Sequence, residues 1–567
     1  MLPRLLIAAC AIAASSGAAH AQVKKVAFVV NEDYPVGFPI DSRPVDAGLA
    51  ASTARVVTTS NQYVTLYTRA GSLIEEWHAS ESGFPFKRVD TEEGILFDPR
   101  VEYDPINGRL WMICSEQKDD NLISVLHLAV SHDETPDSFS TNDWYIFTNA
   151  QPGATGPHFD LADESIDPDL RFITIVDLPT MAIDDQFVYI ATSTKYQDSG
   201  TSSEAFIIIP LSNAGDSLLD GDRPDESTFS ILYGVLHVPA DTSTQHYAVQ
   251  EPFDEFDNAQ FFLSNVPEFG ERDEIRLSVL YQDEGDWEYR LPKNASGAIA
   301  DPELDEGYEF FTTSGTPVTP ESGWGPAAGV SNFFSSAVLV YDPNYAPTIF
   351  AVQQIHESDG GTPPAALGQF LVQWYVIDPD LDDYQSDDWA PAVLQTGRFP
   401  ESGDAYHPVI GVTPQGVAYI EYIYSDSSTW PQLRRAQLNN SYTSVADDDP
   451  VQPGPSAWYD SDHETWADFT DMQADPVGCG FWSLHVLVHD PGGETASTDE
   501  RAAWLVEHDL GCNNAELTGD GVIDDKDLYL FNEYYALGSR RVDMNRDFKV
   551  DFVDYAIYTD EYAKRPK

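Results

Sequence analysis

A strand–turn–strand pattern returns four times along this chain, and a returning pattern restricts the fold more than any single motif does. From Asp98 to Met112, an apolar run, a turn built on Asp104, Pro105, Asn107 and Gly108, and a second apolar run follow one another. Asp177 to Ile190, Tyr406 to Ile420 and Ala467 to Trp482 repeat that layout. Each copy is a hairpin, and a lone hairpin cannot bury both of its faces, so copies must pack on one another. Between them, short runs rich in Val, Ile, Tyr, Phe and Thr alternate with Asp, Gly, Pro and Asn clusters. Examples are Arg55 to Thr59, Tyr63 to Tyr67, Phe187 to Ala191, Ala205 to Ile209, Arg276 to Leu280 and Val417 to Glu421. Successive copies roughly 60 to 80 residues apart suit four-stranded blades set around an axis. The expected fold is mainly β: a multi-bladed β-propeller over 22–510, with seven blades or six, and a small α-helical module over 513–567.

Charge narrows the partners. The chain carries 94 acidic and 30 basic residues, a formal net charge of -64. Such a surface repels phosphate backbones and anionic lipid, so nucleic acid and membrane surfaces are poor partners. It suits cations, a saline habitat or neutral ligands. Hydrophobic content of 42% and aromatic content of 12% are those of a folded chain rather than a disordered one.

The N-terminus reads as an export signal. Arg4 sits in a short positive region, Leu5 to Ala14 is apolar but too short to span a bilayer, and Ala19-His20-Ala21 is an A-x-A cleavage pattern. Cleavage after Ala21 would start the mature chain at Gln22 and make it a secreted, extracellular protein. The run Ile7 to Cys10 is also a passable lipobox, which leaves lipoprotein processing as an alternative. Without Cys10, three cysteines remain: Cys479 and Cys512 as a candidate disulfide, and Cys114 as a buried thiol.

The C-terminal segment holds two calcium-loop frames. A hard cation wrapped by one 12-residue turn takes oxygen ligands at positions 1, 3, 5, 7, 9 and 12. Asp543, Asn545, Asp547, the carbonyl of Lys549, Asp551 and Asp554 fill that frame once. Glu516, Thr518, Asp520, the carbonyl of Val522, Asp524 and Asp527 fill it 27 residues earlier. Glu516 and Thr518 are weak ligands, and Phe548 replaces the usual turn glycine at a backbone cost. Each loop leads into an apolar helical run, Leu528 to Tyr535 and Tyr555 to Tyr562. The spacing, and Asp rather than Glu at position twelve, resemble a type I dockerin. That resemblance implies calcium-dependent folding and attachment to a cohesin-like or cell-surface protein. The residues at positions ten and eleven, Asp525-Lys526 and Phe552-Val553, depart from the small hydroxyl residues usual there, which puts cohesin docking in doubt.

The hairpins carry a second resemblance. Leu96 to Asp104, Asp177-Leu178-Pro179 and Trp466 to Thr470 followed by Asp475-Pro476 are similar to a group of secreted bacterial β-propellers that use forms such as FDPRxxYD, DYP and WGDYS. Leu178 and Ala467 depart from the Tyr and Gly usual in that group. The group has no settled activity, so this resemblance implies a fold rather than a reaction.

Within the propeller, Asp98, Asp177 and Asp468 each precede a repeated strand, where they would either gather at the channel mouth or cap turn N–H groups. Arg100 is one of few cations and should pair with an acid, and His407 is either a polar tip in the channel or a satisfied core residue. Trp466 and Trp482 read as packing between blades. The chain lacks H-E-x-x-H, G-x-S-x-G, a P-loop and a dinucleotide fingerprint. Two function classes remain: a non-catalytic propeller that binds a glycan or protein, and a carbohydrate-active hydrolase or lyase on a propeller, each with the dockerin-like tail as attachment module.

Overall fold

The computed structural model describes residues 28–30, 47–290 and 334–508 with breaks in their connecting stretches, and 515–565 apart from 516, 519–522 and 545–549. The strands form seven principal antiparallel sheets. In blades 1 to 6 the chain runs outward from a first, innermost strand. These are Gly48–Ala51, Ile95–Asp104, Ile173–Ile183, His246–Ala248, Phe334–Tyr341 and Asp404–Val412. Blade 7 begins with Asp471–Ala474, adds Phe481–Val488 and Arg501–His508, and takes its outermost strand from the other end of the chain. There Phe28–Val30 pairs antiparallel with Leu505 to Ala503. Each innermost strand lies against the next, and Asp471–Ala474 lies against Gly48–Ala51, so the ring closes at seven blades.

Burial explains the composition of each layer. Inner and middle strands are covered on both faces by neighbouring blades and read as nearly unbroken apolar runs: Gly48–Ala51 is wholly buried, and Phe370–Asp378 is buried except at Asp378. Outer strands are polar and part-exposed, as in Leu73–His78 and Ala392–Phe399, which protects the blade edge from pairing with another chain. Between blades the packing is apolar. Val57 and Leu66 of blade 1 meet Leu110, Met112 and Phe139 of blade 2, and Phe261 and Val279 of blade 4 meet Leu339 and Tyr375 of blade 5. Truncating one such residue to Ala costs about 2–5 kcal/mol.

The innermost strands are also stitched by hydrogen bonds between blades. Thr59 Oγ1 donates to the Pro99 carbonyl (2.8 Å), and Gly48 leaves the space it needs: a Cβ there would sit 2.5 Å from that oxygen. Thr180 Oγ1 accepts from Ala248 N–H, and Gln250 exchanges backbone bonds with Ala337 and Leu339. Ser336 Oγ donates to the Ile410 carbonyl, His407 N–H to Gln354, and Thr470 Oγ1 to the His407 carbonyl. At the closing seam Asp471 Oδ2 accepts from Leu49 N–H (2.8 Å) and Gln473 Oε1 from Ala51 N–H (2.6 Å). Arg69 bridges both oxygens of Asp475 at 2.7 Å and covers the Trp482 ring at 5.2 Å, which places Trp482 in packing as expected.

The repeated X-Pro steps are bulges. Ladder register shifts between Phe97 and Arg100, between Asp177 and Thr180, and between Tyr406 and Val409. Pro99, Pro179 and Pro408 cannot donate to a ladder, so the innermost strand bends there instead of pairing. Asp98 (φ 49°) and His407 (φ 48°) take up the bend in left-handed backbone.

The C-terminal module holds two helices, α1 (Asp525–Leu537) and α2 (Phe552–Ala563), which begin at position ten of their loops, three residues earlier than the apolar runs suggested. Phe531 stacks on Tyr558 at 3.8 Å inside a small core with Leu517, Leu530, Tyr534 and Met544.

Candidate functional site

Strand periodicity decides what faces the channel. In Ile95–Asp104, Val101 and Tyr103 are buried in the blade packing, so the alternate residues Arg100 and Glu102 point to the other face. There they meet Thr180 and Met181 of blade 3, Tyr247 and Gln250 of blade 4, and Thr470 and Asp471 of blade 7 around a cavity of about 30 Å³. That space admits one or two water-sized groups and no sugar ring.

The cavity pits two carboxyl groups against one guanidinium. Burial raises Asp471 to about 6, against the Leu49 N–H, Arg100 and the Met472 N–H, which all favour its ionised form. Glu102 is raised well above the usual carboxylate range, first by burial and then by the charge of Asp471, with Arg100 opposing. Burial, then Asp471 and Glu102, likewise keep the Tyr247 phenol protonated. Arg100 Nη1 donates to the Ala47 carbonyl (3.1 Å), while Gln250 Nε2 donates to the Met181 and Ala248 carbonyls. Among the described residues the Glu102 carboxyl makes no hydrogen bond or ion pair.

The residues singled out from sequence divide. Arg100, expected to pair with an acid, lines the channel beside Glu102 and Asp471 and favours their ionised forms. Asp98 does not: it lies inside the innermost strand rather than before it, and the bulge brings its charge near Cys114 in the next strand. Cys114 is the buried free thiol expected, its pKa raised by burial and then by Asp98 and Glu116. Asp177 pairs with Ser193 at the edge of its bulge. Its side chain, together with Asp468, Trp466, Cys479 and Cys512, lies outside the described residues. His407 is no channel tip. It is buried between blades, and burial, then the proximity of His485, lower it to about 3, so it is neutral.

A second cluster of ionisable groups lies between blades 6 and 7, where the sequence offered no signal. His508 Nε2 is 2.6 Å and His485 Nε2 3.3 Å from the two oxygens of Glu421, all three side chains being fully buried. Arg435 Nη1 lies 3.2 Å from His508 Nδ1. A guanidinium can only donate, so His508 Nδ1 accepts from it, which leaves the proton of that ring on Nε2, the nitrogen nearest Glu421. Burial alone would raise Glu421, but His508 and His485 outweigh it and hold the carboxyl well below its usual range.

In the C-terminal module the ends of the two loops that lead into the helices are built alike. Asp524 and Asp551, at position nine, cap α1 and α2 in capping boxes completed by Asp527 and Asp554. Asp527 Oδ1 accepts from Leu517 and Thr518 N–H, and Asp554 Oδ1 accepts from Met544 N–H, so each position-twelve carboxylate closes its own loop. Glu516, Asp520, Val522, Asn545, Asp547 and Lys549 lie outside the described residues. Among the described residues no group of three or more His, Cys, Asp or Glu is placed to hold a metal. The carboxylates of Asp524, Asp527, Asp543, Asp551 and Asp554 are nonetheless the hard oxygen donors calcium takes, and the helices leave the loops at the position such a frame requires.

No family model matches the chain, and no curated protein matches it. Among solved structures it is similar to an endo-1,5-α-L-arabinanase from Thermotoga petrophila, at 12% identity, 82% of this chain, 98% of that chain and a TM-score of 0.31. It is similar to an exo-β-1,3-galactanase from Phanerochaete chrysosporium, at 12% identity, 82% and 85% coverage and a TM-score of 0.28. It is also similar to the β-propeller domain of the Trilobed protease from Pyrococcus furiosus, at 7% identity, 85% and 99% coverage and a TM-score of 0.33. Likeness of this order carries no functional argument, and function has to be read from the residues.

Proposed function

We propose that this chain is a secreted, calcium-binding extracellular protein whose propeller binds a neutral glycan without cleaving it, and whose dockerin-like tail attaches it to a partner. The observation that carries the binding reading is the channel cavity. Arg100, Glu102, Tyr247, Gln250 and Asp471 set a few polar groups in an otherwise mainly apolar lining, as a hydroxyl on a carbon arm would need. The size excludes a sugar ring from lying between Glu102 and Asp471, and Asp471 already spends an oxygen on Leu49. A surface of net charge -64 favours a neutral ligand over an anionic one. In the tail, Asp543, Asn545, Asp547, Lys549, Asp551 and Asp554 would hold one calcium ion, and Glu516, Thr518, Asp520, Val522, Asp524 and Asp527 a second. The ion would supply folding energy rather than chemistry.

One observation favours a hydrolase as the second reading. Two neighbouring carboxyl groups whose surroundings push their pKa values to different heights are the usual basis of an acid and a base. Purified full-length protein applied to a glycan array, and then incubated with the glycans it retains, separates the two. Retention without release of reducing ends supports binding alone. Turnover that disappears in Glu102→Gln and Asp471→Asn would replace it with catalysis. For the tail, hydrogen exchange across 513–567 should slow at least tenfold when millimolar calcium replaces chelator, and unchanged exchange would remove calcium from the account.

A further inference from the structure

Among the described residues, the Glu102 carboxyl is a polar group of the channel that the ring does not use. Its neighbours are spent on holding blades together: Arg100 on Ala47, Asp471 on Leu49, Gln250 on Met181, and Thr470 on His407. Glu102, part-buried, faces the same cavity with no hydrogen-bond partner among the described residues, so its carboxyl is open to a group that enters there. The cavity has room for one hydroxyl-sized group, and Tyr247 and Arg100 stand beside it as further polar neighbours.

We propose that this cavity is a hydroxyl-recognition pocket, in which Glu102 takes a single projecting hydroxyl of a neutral saccharide or polyol. The inference rests on the glycan-binding reading above and names what that site reads. A hydroxyl donates and accepts at once, so it fits a pocket where one carboxyl is protonated and its neighbour can ionise. An ammonium would face Arg100. A carboxylate or sulfate would face two acids and the field of the whole chain. The ring of the ligand stays outside, with one arm entering the channel.

The test compares a retained neutral sugar with its deoxy analogue lacking the exocyclic hydroxyl, on the full chain and on two variants. The deoxy analogue should bind about 10- to 100-fold more weakly, because a site built around a hydroxyl rejects a ligand without it. Glu102→Leu should weaken the parent sugar by a similar factor, while Glu102→Gln, which keeps shape and a donor, stays within about threefold. Combined, the two losses should not add, since they remove one contact. Equal binding of parent and deoxy sugar, or losses that add in full, would overturn the pocket while leaving glycan binding intact. Absence of any neutral glycan on the array would instead overturn the glycan-binding reading itself. Preserved strand content of both variants by circular dichroism guards against loss through misfolding.

Discussion

Glu102 and Glu421 are the same residue type in the same ring, and the protein treats them in opposite ways. Both are raised by burial before any neighbour acts. Glu421 then meets His508 and His485, which favour its charge, and its carboxyl falls well below the ordinary range. Glu102 meets Asp471, which opposes its charge, and its carboxyl climbs. Neighbours, not depth, decide the state of a buried acid. The blade 6–7 contact is thereby a lock of two imidazoles around a charged carboxylate, whereas the channel keeps an acid in reserve.

The largest expected effect comes from breaking the lock. Glu421→Ala would leave two buried imidazoles without their carboxylate and should cost about 3–5 kcal/mol, read as a lower midpoint in guanidinium unfolding. Glu102→Gln should cost less than about 0.5 kcal/mol or stabilise, since it deletes only a carboxyl that has no bond among the described residues. Equal losses at the two sites would end the comparison.

The next effect is one of pH. Asp471 titrates near 6 in the folded chain and near 3.8 as a free aspartate, so folding favours its protonated form. Its penalty is absent below about pH 4, grows as pH rises toward 6 and is complete above that. Asp471→Asn keeps an acceptor for Leu49 N–H, so it should match the parent at pH 4 and exceed it by on the order of 1–2 kcal/mol at pH 7. Glu421 has the opposite sign: its depressed pKa gives stability present above the ordinary glutamate value and lost as pH falls through the folded one. Thermal midpoints across pH 4–8 for parent and variant would show whether the channel acid carries this slope.

The smallest effect lies at the closing seam. Arg69→Lys keeps the charge but loses the Nη1 bond to the Ser52 carbonyl and the planar cover on Trp482, and should cost about 1 kcal/mol. An unchanged unfolding midpoint would mean that the apolar seam closes the ring without it.

How much of this could be read beforehand depended on range. Asp104 to Gly108 announced a turn because turn chemistry is local, and all four recurring hairpins are the first two strands of a blade. Blade 1 was harder to recognise as a unit, since its innermost strand is Gly48–Ala51, four small or apolar residues with no X-Pro step. Asp98 reads from sequence as the residue before a repeated strand, but it lies within that strand at the bulge made by Pro99, with its charge near Cys114. Glu102, two positions beyond Arg100, was available from strand alternation, but only once one knows which face lines the axis. Asp471 could not be chosen among 94 acids, because its neighbours come from three other blades. The Glu421 cluster joins residues far apart in the chain and leaves no spacing to find.

The outermost strand of blade 7 has a consequence for how the protein is made. Phe28–Val30 is synthesised before the other described strands, yet its partner is Arg501–His508. At about 5–20 residues per second that partner follows on the order of a minute later. For that interval three apolar residues wait for their partner, a template open to any passing strand. The strand of the ring that is made first is thus among the last to be placed, and the ring is shut only when synthesis of its final blade is done.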